Sequence, residues 1–574
     1  MYILGINAYH GDASACLLND GKIICATEEE RFTRVKHWSG FPSESIKFCL
    51  ADADITIDQI DYVTFSRDPK AKFLKKILYS LRHNVRFSTI IDRLMHSIKA
   101  KSVKNRLASL FNIKKKLIKA KIYNIEHHRS HIASSFFASK FQESALLSID
   151  GFGDFTSPMT AIGKGNKIQV LDSVDYPHSL GIFYTAVTQF LGFPKYGDEY
   201  KLMGLAPYGE AKYLKELSKI VRKTKDGFFT LNKKYFKHFK EGASHDLKNG
   251  EARYHSLFTS EWEKLFFTAR KEEDSLEKFH IDLATSVQLF TEQIIFVILN
   301  KLYEKTDLEN ICIAGGVAQN SVVNGKILKN TPFKNIYIPA ASHDGGTSIG
   351  SALYLYNHIL EKERLPEIKT AYFGKKSDNE EIISTLKKEE IEYDILNDEE
   401  LFDRVSEKLI NGGVVGWFQG RAEFGPRALG NRSIIVDPRR SDAKELLNEK
   451  IKRRESFRPF APSILEEFVG DYFLETDDVP FMEKVYDIKR DKRVEIPAVT
   501  HVDGTGRLQT VNKKTSPRYH KLISEFCKKS GIPILLNTSF NENEPIVNKA
   551  EEALDCFFRT KMDMLVMENI IVER

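Results

Sequence analysis

The sequence predicts an α/β protein in which a strand-turn-strand unit occurs twice and a second domain follows. Residues 2–8 are apolar enough for a buried strand, and Asn19-Asp20-Gly21 separates two further apolar runs as a hairpin turn would. The same layout recurs near residue 145, where an apolar run ends at Asp150 and a second hairpin is expected at residues 163–166. Two such units facing each other would make a cleft that can hold phosphate between their turns.

A third apolar run, residues 311–314, predicts a short strand, and Gly315-Gly316 follows it where a helix opens. Paired glycines between a strand and a helix allow a nucleotide to approach backbone N–H groups and the positive helix end. Asp344 lies in a further acidic turn before another predicted helix. The charged, proline-bearing stretch at residues 357–370 then predicts a domain boundary.

Length and composition bound the class of protein. A chain of 574 residues exceeds what one hydrophobic core usually supports, so two or more domains are expected. The chain has no run of 18 or more apolar residues and no basic-then-apolar N-terminus, so neither a membrane span nor a secretory signal is expected. Six scattered cysteines without a C-x-x-C pair indicate reduced thiols and a cytoplasmic protein. The net charge of +6 does not call for nucleic acid.

The charge is concentrated in one segment. Residues 67–121 contain 17 Lys or Arg against two acidic residues, and the tracts at 72–76 and 114–119 interleave lysines with apolar residues at helical spacing. One interpretation is a pair of surface helices with solvated basic faces. The other is a docking face for an anionic acceptor, a membrane surface or a partner.

A histidine pair and two aspartates form a candidate metal site. His127 and His131 are four residues apart and therefore share one face of a helix, and Asp150 follows a buried strand. Two imidazoles and a carboxylate suit iron, manganese or zinc, and Asp344 offers a further oxygen ligand. The alternative is that the histidines cap or solvate a helix start and that Asp344 caps a turn.

The chemistry changes after residue 370. Residues 420–433 carry three arginines, Arg421, Arg427 and Arg432, separated by glycines and a proline. Guanidinium groups in a rigid loop match phosphate or carboxylate bidentately. Further cations follow at 452–453 and 458, and polar loops follow at 501–507 and 537–541. Surface salt bridges remain the alternative for any single arginine.

The chain resembles the O-carbamoyltransferases of nodulation and antibiotic biosynthesis. The resemblance rests on eight motifs that follow the family's order along nearly the whole chain. These are the motifs at residues 10–14, 28–34, the pair His127 and His131, and residues 198–209, 315–320, 425–430, 457–462 and 536–541. One such motif would be weak evidence, whereas the ordered set is specific.

The resemblance implies an actin/hexokinase-like (ASKHA) domain at 1–360, with the basic insertion at about 67–121, and a YrdC-like domain at 361–574. It implies that carbamoyl phosphate reacts with ATP, which carries Mg²⁺, in the second domain to give carbamoyl adenylate and pyrophosphate. The first domain would then transfer the carbamoyl group to a hydroxyl of a sugar or small-molecule acceptor. The family favours Fe²⁺ at the metal site, and the ligand set would also accept Mn²⁺ or Zn²⁺.

The resemblance also implies roles for individual residues. It implies that the metal ligands are His127, His131, Asp150 and Asp344. Arg421, Arg427, Lys452 and Arg458 are expected to hold the anionic substrates and the leaving group. The expected cofactor-binding set is Gly315, Gly316, Asn320, Lys201, Arg507 and Asn537, although Lys201 could equally form a structural salt bridge. His10 is the expected general base for the acceptor hydroxyl, with Asp12 as the second candidate.

Three other functions are compatible with parts of the sequence. An actin/hexokinase-type kinase or ATPase would release ADP but would leave the arginine-rich domain unexplained. A hydrogenase-maturation carbamoyltransferase would carry cysteine zinc motifs, which this chain lacks. A nucleotide-binding scaffold would not need its metal ligands. The sequence leaves the acceptor and a homodimer open.

Overall fold

A computed structural model describes residues 1–82, 103–242, 245–248 and 251–574. The part of the predicted basic segment at 83–102 lies outside the described residues. The chain divides into two compact units. The first contains Met1–Asn320 and Lys326–Ile368, and the second contains Ser321–Gly325 and Lys369–Arg574.

Strands are numbered along the chain. Those before residue 340 are β1 Tyr2–Asn7, β2 Ser14–Asn19, β3 Lys22–Glu28, β4 Tyr62–Phe65, β5 Lys121–Asn124, β6 Glu143–Ser148, β7 Thr156–Lys164, β8 Lys167–Asp175, β9 Val221–Lys223, β10 Phe229–Leu231, β11 His245–Lys248, β12 Glu251–Tyr254, β13 Asn310–Ala314 and β14 Asn335–Tyr337. Those after it are β15 Asp394–Ile395, β16 Val415–Phe418, β17 Arg432–Val436, β18 Ala461–Leu465, β19 Lys484–Asp487, β20 Thr505–Val511, β21 Ile534–Ser539, β22 Met564–Met567 and β23 Ile570–Glu573.

The α-helices are numbered in the same way. They are α1 Glu30–Thr33, α2 Ser43–Asp52, α3 Phe73–Arg82, α4 Val103–Leu110, α5 His127–Phe136, α6 Leu180–Phe190, α7 Glu199–Leu205, α8 Leu214–Ile220, α9 His238–Glu241, α10 Lys278–Thr306, α11 Ser321–Asn330, α12 Thr347–Leu353, α13 Asn379–Lys388, α14 Asp398–Ile410, α15 Ala443–Leu446, α16 Val469–Tyr472, α17 Pro517–Ser530 and α18 Ala550–Arg559.

The first unit contains two five-stranded sheets with the same topology. The strand orders are β3-β2-β1-β4-β5 and β8-β7-β6-β13-β14. In each sheet the first three strands are antiparallel and the last two continue the central strand in parallel. The hairpin turns fall where the sequence predicts them, between Asn19 and Lys22 and between Lys164 and Lys167. The predicted duplication is therefore confirmed.

Helix α12 joins the two halves of this unit. It packs against β1 and against α5, and glycines permit both approaches. A Cβ on Gly5 would lie 2.2 Å from the carbonyl oxygen of Ser348, and one on Gly350 would lie 1.8 Å from that of Ser130. Because α12 is held this closely to α5, the turn that precedes it brings Asp344 next to the start of α5.

The glycine pair does not open a helix directly. Gly315 has a φ of +100°, a left-handed value that favours glycine, and a 3-10 turn spans Gly316–Gln319 before α11 begins. A Cβ on Gly315 would also lie 2.2 Å from the carbonyl oxygen of Ile149. The expected helix N-terminus is therefore displaced from the glycines, which instead pack against the end of the strand that leads to Asp150.

One helix among the described residues, α10, is long and apolar enough to cross a membrane by length and composition alone. However, 67% of its most apolar window is buried inside the protein, as expected of a core helix.

The basic tracts differ from the predicted pair of basic-faced helices. Residues 114–119 form no α-helix, because only a 3-10 turn, Lys115–Leu117, occurs there. In α3 the exposed face is apolar, whereas Lys72 and Lys75 both reach Asp175 on the protein body. Ion pairing on the inner side therefore displaces the apolar residues of this helix outwards.

The second unit is built on one nine-stranded mixed sheet with the order β15-β23-β22-β16-β17-β21-β18-β20-β19. Its central strands are almost fully buried, including Trp417 in β16. Strands β16 and β17 are antiparallel neighbours, and the arginine-bearing loop at residues 419–431 connects them. This loop therefore leaves and re-enters the middle of the sheet, where both of its ends are fixed.

Candidate active site

Four side chains from three separate places in the first unit converge. His127 and His131 come from the first two turns of α5, Asp150 follows β6 by two residues, and Asp344 precedes α12. One ligand atom from each lies within 4.8 Å of the others, and all four residues are buried. The four residues that the sequence assigns to a metal site are thus brought together.

The spacing of these atoms fits a single divalent ion. The two Nε2 atoms are 3.1 Å apart, Asp150 Oδ2 is 3.2 Å from Nε2 of His127, and Asp344 Oδ1 is 3.3 Å from Nε2 of His131. Ligands about 2.1 Å from one ion are separated by roughly 3.0–3.4 Å in octahedral or tetrahedral geometry. Two neutral imidazoles and two carboxylates are suitable donors for iron, manganese or zinc.

The charges in this cluster favour a cation. Burial raises the pKa of Asp150, but His127 and His131 lower it more, so that the net pKa lies well below the usual value. Burial lowers the pKa of His127, whereas Asp344 and Asp150 raise it well above the usual value. The two carboxylates therefore stabilise positive charge between the imidazoles.

The surrounding backbone orients the ligands. The Gly316 amide donates to Oδ1 of Asp150 over 2.8 Å, leaving Oδ2 to face the histidines. Asp154 accepts the backbone N–H of His127 over 3.0 Å, and a Cβ on Gly153 would lie 1.9 Å from the His127 ring. The Nδ1 atoms of His127 and His131 are buried without a hydrogen-bond partner among the described residues. Packing therefore sets the orientation of these rings.

His10 lies beside the cluster, and His128 is directed away from it. The His10 ring centroid is 4.9 Å from that of His127, and Nδ1 of His10 is 4.0 Å from Oδ2 of Asp344. His128 contacts the Ser148 hydroxyl at 2.8 Å and the Thr156 carbonyl oxygen at 3.0 Å. Burial and the two neighbouring histidines lower the pKa of His128 well below its usual value. His128 is therefore a neutral structural residue.

Asp12 belongs to a network of opposite charges. Its Oδ1 lies 2.7 Å from Nδ1 of His37, and its Oδ2 lies 3.8 Å from Nε2 of His343. Nε2 of His343 also lies 3.1 Å from Glu28, which in turn pairs with Arg31. Burial raises the pKa of Asp12, but His37 and His343 outweigh it, and the net pKa is lowered. An ionised, paired carboxylate is a weaker base than a free one, which favours His10 over Asp12 as the proton acceptor.

The residues assigned to the nucleotide differ in their environments. Gly315 and Gly316 adjoin Asp150, as described above. The Asn320 amide exchanges two hydrogen bonds with Gln288, at 2.9 and 3.2 Å. Lys201 pairs with Asp198 three residues before it, at 3.1 Å, and its ammonium lies 5.2 Å from the Phe193 ring centroid. The local salt bridge considered for Lys201 is therefore present.

Arginines cluster in the second unit. Burial, followed by the charges of Arg427, Arg454 and Arg458, lowers the pKa of Arg507 well below its usual value. The Nε atom of Arg507 is buried without a hydrogen-bond partner, and no carboxylate of the described residues pairs with its guanidinium. Several positive charges that act on one half-buried guanidinium, which has no carboxylate partner, make a site for an anion with several negative charges.

Other predicted residues of this unit are engaged by the protein itself. The Lys452 ammonium is buried and donates to the carbonyl oxygens of Ser539 and Asn541 and to the Asn541 side chain. Arg421 donates to the Gly374 carbonyl oxygen over 3.0 Å. Asn537 donates to Ala428, Ser463 and Gln509, while its Oδ1 is buried without a partner among the described residues. In this structure Lys452 and Asn537 fix loops around the arginine cluster.

Sequence reasoning missed Glu423. One of its carboxylate oxygens accepts the backbone N–H groups of Leu429 and Asn431, at 2.7 and 2.9 Å, which closes the loop that carries Arg427. It also missed His343. It grouped Arg432 with the anion-binding arginines, whereas the fully buried guanidinium of Arg432 donates to carbonyl oxygens at the base of the same loop. Three closely spaced arginines signalled one kind of site, but only the fold separates Arg432 from the others.

Comparison with known proteins identifies two matching family models. The model described as Carbamoyltransferase N-terminus matches residues 2–353, and the one described as Carbamoyltransferase C-terminus matches residues 406–574. The uncharacterized protein sll1178 of Synechocystis is 41% identical over 100% of this chain and 97% of its own length. Nodulation protein NolNO of Sinorhizobium fredii is 35% identical over 99% of this chain and 80% of its own. The 3'-hydroxymethylcephem-O-carbamoyltransferase of Amycolatopsis lactamdurans is 32% identical over 44% of this chain and 47% of its own.

Proposed function

The chain belongs to the carbamoyltransferase family, and from this premise we propose that it is an ATP-dependent O-carbamoyltransferase acting in two steps. Carbamoyl adenylate is made in the second unit, which we propose to be YrdC-like. The actin/hexokinase-like first unit then transfers its carbamoyl group to a hydroxyl of a sugar or small metabolite. The named relatives include a nodulation protein and a cephem O-carbamoyltransferase, which supports a hydroxyl acceptor.

One observation carries the proposal: the two units hold sites of complementary chemistry. The first gathers two imidazoles and two carboxylates around a position for a cation. The second gathers Arg427, Arg454, Arg458 and Arg507, and the half-buried guanidinium of Arg507 has no carboxylate partner among the described residues. An arginine cluster suits the triphosphate of ATP and carbamoyl phosphate, whereas a cation site suits the phosphate of an adenylate and an acceptor oxygen.

The first step uses carbamoyl phosphate, water and ATP. Carbamoyl phosphate and water give carbamate and phosphate, and a carbamate oxygen then attacks the α-phosphorus of ATP, so that pyrophosphate leaves. Fixed guanidinium groups stabilise the charge that spreads over the phosphoryl oxygens. Arg507 and Arg427 contribute that charge directly, and Glu423 positions Arg427 by closing its loop. Lys452 holds the 537–541 loop beside them.

In the second step the acceptor hydroxyl attacks the carbamoyl carbon, and AMP leaves. His127, His131, Asp150 and Asp344 would hold the divalent ion. When bound, such an ion supplies Lewis acidity and neutralises charge on the adenylate phosphate. His10, at the edge of the cluster, accepts the proton of the acceptor hydroxyl. Gly316 holds Asp150 in the ligating orientation and offers its loop to the nucleotide.

The products decide between this proposal and a kinase or ATPase. The purified protein should be incubated with ATP, Mg²⁺, carbamoyl phosphate and Fe²⁺, and the nucleotides, pyrophosphate and phosphate should be quantified. The proposal expects AMP and pyrophosphate in equal amounts, formed only when carbamoyl phosphate is present. Release of ADP would instead support an actin/hexokinase-type kinase or ATPase. So would nucleotide hydrolysis that does not depend on carbamoyl phosphate.

A further inference from the structure

Helix α3 presents its apolar face outwards. Five of its ten residues are large and apolar, and each is between 44% and 80% exposed. They are Phe73, Leu74, Ile77, Leu78 and Leu81. At 3.6 residues per turn they occupy one arc of about 140°. An amphipathic helix of a globular protein normally packs this face into the core, so the orientation of α3 is inverted.

Specific contacts hold the helix in this orientation. Tyr79 is its buried residue and projects from the side opposite the apolar arc. The Tyr79 ring lies 5.0 Å from that of Tyr176, and its hydroxyl donates to the Phe239 carbonyl oxygen over 2.9 Å. Lys75, and Lys72 just before the helix, pair with Asp175 on this inner side. The outward direction of the apolar face is therefore built into the fold.

The segment of the chain that contains α3 is basic in sequence. In sequence, residues 67–121 carry 17 basic and two acidic residues, and Arg82, at the end of α3, is exposed. Each Lys or Arg near an anionic bilayer contributes attraction, and an exposed apolar face adds burial in the boundary between headgroups and acyl chains. A second copy of this chain would bring its own excess of positive charge to the same contact, which opposes association.

We propose that the apolar face of α3 docks the protein on an anionic lipid bilayer, with the helix lying in the plane of the interface. The five large apolar side chains enter the boundary region, and Arg82, at the end of the helix, contacts lipid phosphates. This inference rests on the geometry of α3 and does not depend on the proposed reaction.

The docking face adjoins the cation cluster through Asp154. One oxygen of this carboxylate accepts the backbone N–H of Asp68, five residues before α3, and that of His127, at 2.7 and 3.0 Å. Phe155, the next residue, has its ring 5.8 Å from that of Tyr79. A docked bilayer would therefore lie on the side of the protein that carries Asp154 and the start of α5.

Vesicle sedimentation tests the proposal with the full-length protein. Wild type and the variant Leu74→Asp/Leu78→Asp should be mixed with vesicles of phosphatidylcholine alone or of equal parts phosphatidylcholine and phosphatidylglycerol. Wild type should sediment with the anionic vesicles and be released by salt. The double variant should lose about a hundredfold in vesicle affinity, because two leucines no longer enter the bilayer. Val494→Asp, at a residue 82% exposed in the second unit, is the matched control and should bind like wild type.

Two results would overturn the inference. One is the absence of wild-type sedimentation with anionic vesicles, and the other is unchanged sedimentation of the double variant. Sedimentation velocity on the same proteins tests whether a second copy of the chain, rather than a bilayer, covers α3. If the double substitution converts a dimer into a monomer while wild type ignores vesicles, α3 is an interface between two copies of the chain. Thermal melting of the double variant, where both changed residues are exposed, should match wild type and so confirm that it folds.

Discussion

Gly316 donates its backbone N–H to Oδ1 of Asp150 over 2.8 Å, while Oδ2 of Asp150 faces Nε2 of His127 at 3.2 Å. One carboxylate thus joins the glycine loop, where we propose that the nucleotide binds, to the candidate cation site. Any nucleotide phosphate bound at this loop lies next to the cation position. Substitutions in the glycine loop should therefore change the affinity of the site for the cation.

Gly316→Ala tests this relationship. The added Cβ would lie 2.6 Å from Oδ1 of Asp150 and displace the carboxylate. We expect Fe²⁺ or Mn²⁺ affinity to fall about 10- to 100-fold, as it does when an orienting partner of a ligand is lost. Calorimetric titration of the metal-free protein measures this affinity. Gly470→Ala is the control, because its Cβ would meet only Thr476 at 3.5 Å, and unchanged affinity in both variants would contradict the account.

Arg507→Leu should separate stability from anion binding. The substitution removes a half-buried charge that is repelled by three other guanidinium groups, so the free energy of unfolding in anion-free buffer should rise by about 1 kcal/mol. The rise in melting temperature that pyrophosphate gives the wild type should disappear. Arg439→Leu is the control, since Arg439 pairs with Asp437 at 2.6 Å, and it should keep the pyrophosphate effect. A destabilised Arg507→Leu that still responds to pyrophosphate would refute the anion site.

Glu423→Ala should impair the first step through Arg427. The variant leaves the amides of Leu429 and Asn431 without their acceptor, so the loop should open and ATP–pyrophosphate exchange should fall at least about tenfold. Glu423→Gln keeps an oxygen that can accept both bonds and should restore most of the exchange. A purely structural role would instead lower the unfolding free energy of Glu423→Ala without changing exchange in the folded fraction.

The pairing of His37 with Asp12 should make stability depend on pH. Burial lowers the pKa of His37, but Asp12 raises it more, to about 8 from the usual 6.5. A raised folded-state pKa stabilises the fold fully below pH 6.5, and this contribution is lost as pH rises through about 8. Wild type should therefore be more stable than His37→Gln at about pH 6, and the difference should vanish by about pH 9. Denaturant unfolding of both proteins measures this, and a difference that grows with pH would contradict the pairing.

Local patterns predicted much of the cation cluster and the duplicated sheets. The i, i+4 spacing of His127 and His131 needs only a helix to bring the rings together, and Asp150 needs only a strand that ends before it. The turn residues of both hairpins are recognisable in the local sequence. The ordered motifs also identified the family, which the two family models confirm.

Contacts between distant parts of the chain could not be predicted in this way. The sequence shows that Lys452 is basic, but not that its ammonium donates its hydrogen bonds to residues 539 and 541. It shows that α3 is amphipathic, but not that Asp175 and Tyr176, about a hundred residues away, turn its apolar face outwards. By contrast, the Lys201–Asp198 pair is local and visible in the i, i+3 spacing.

The most direct measurement of the two-step account is ATP–pyrophosphate exchange and carbamoyl transfer in His131→Ala and Arg427→Ala. Because the cation cluster lies in the first unit and the arginine cluster in the second, His131→Ala should retain carbamoyl phosphate-dependent exchange and lose transfer. Arg427→Ala should lose exchange yet transfer the carbamoyl group from supplied carbamoyl adenylate. Loss of both activities in a folded His131→Ala protein would contradict the account.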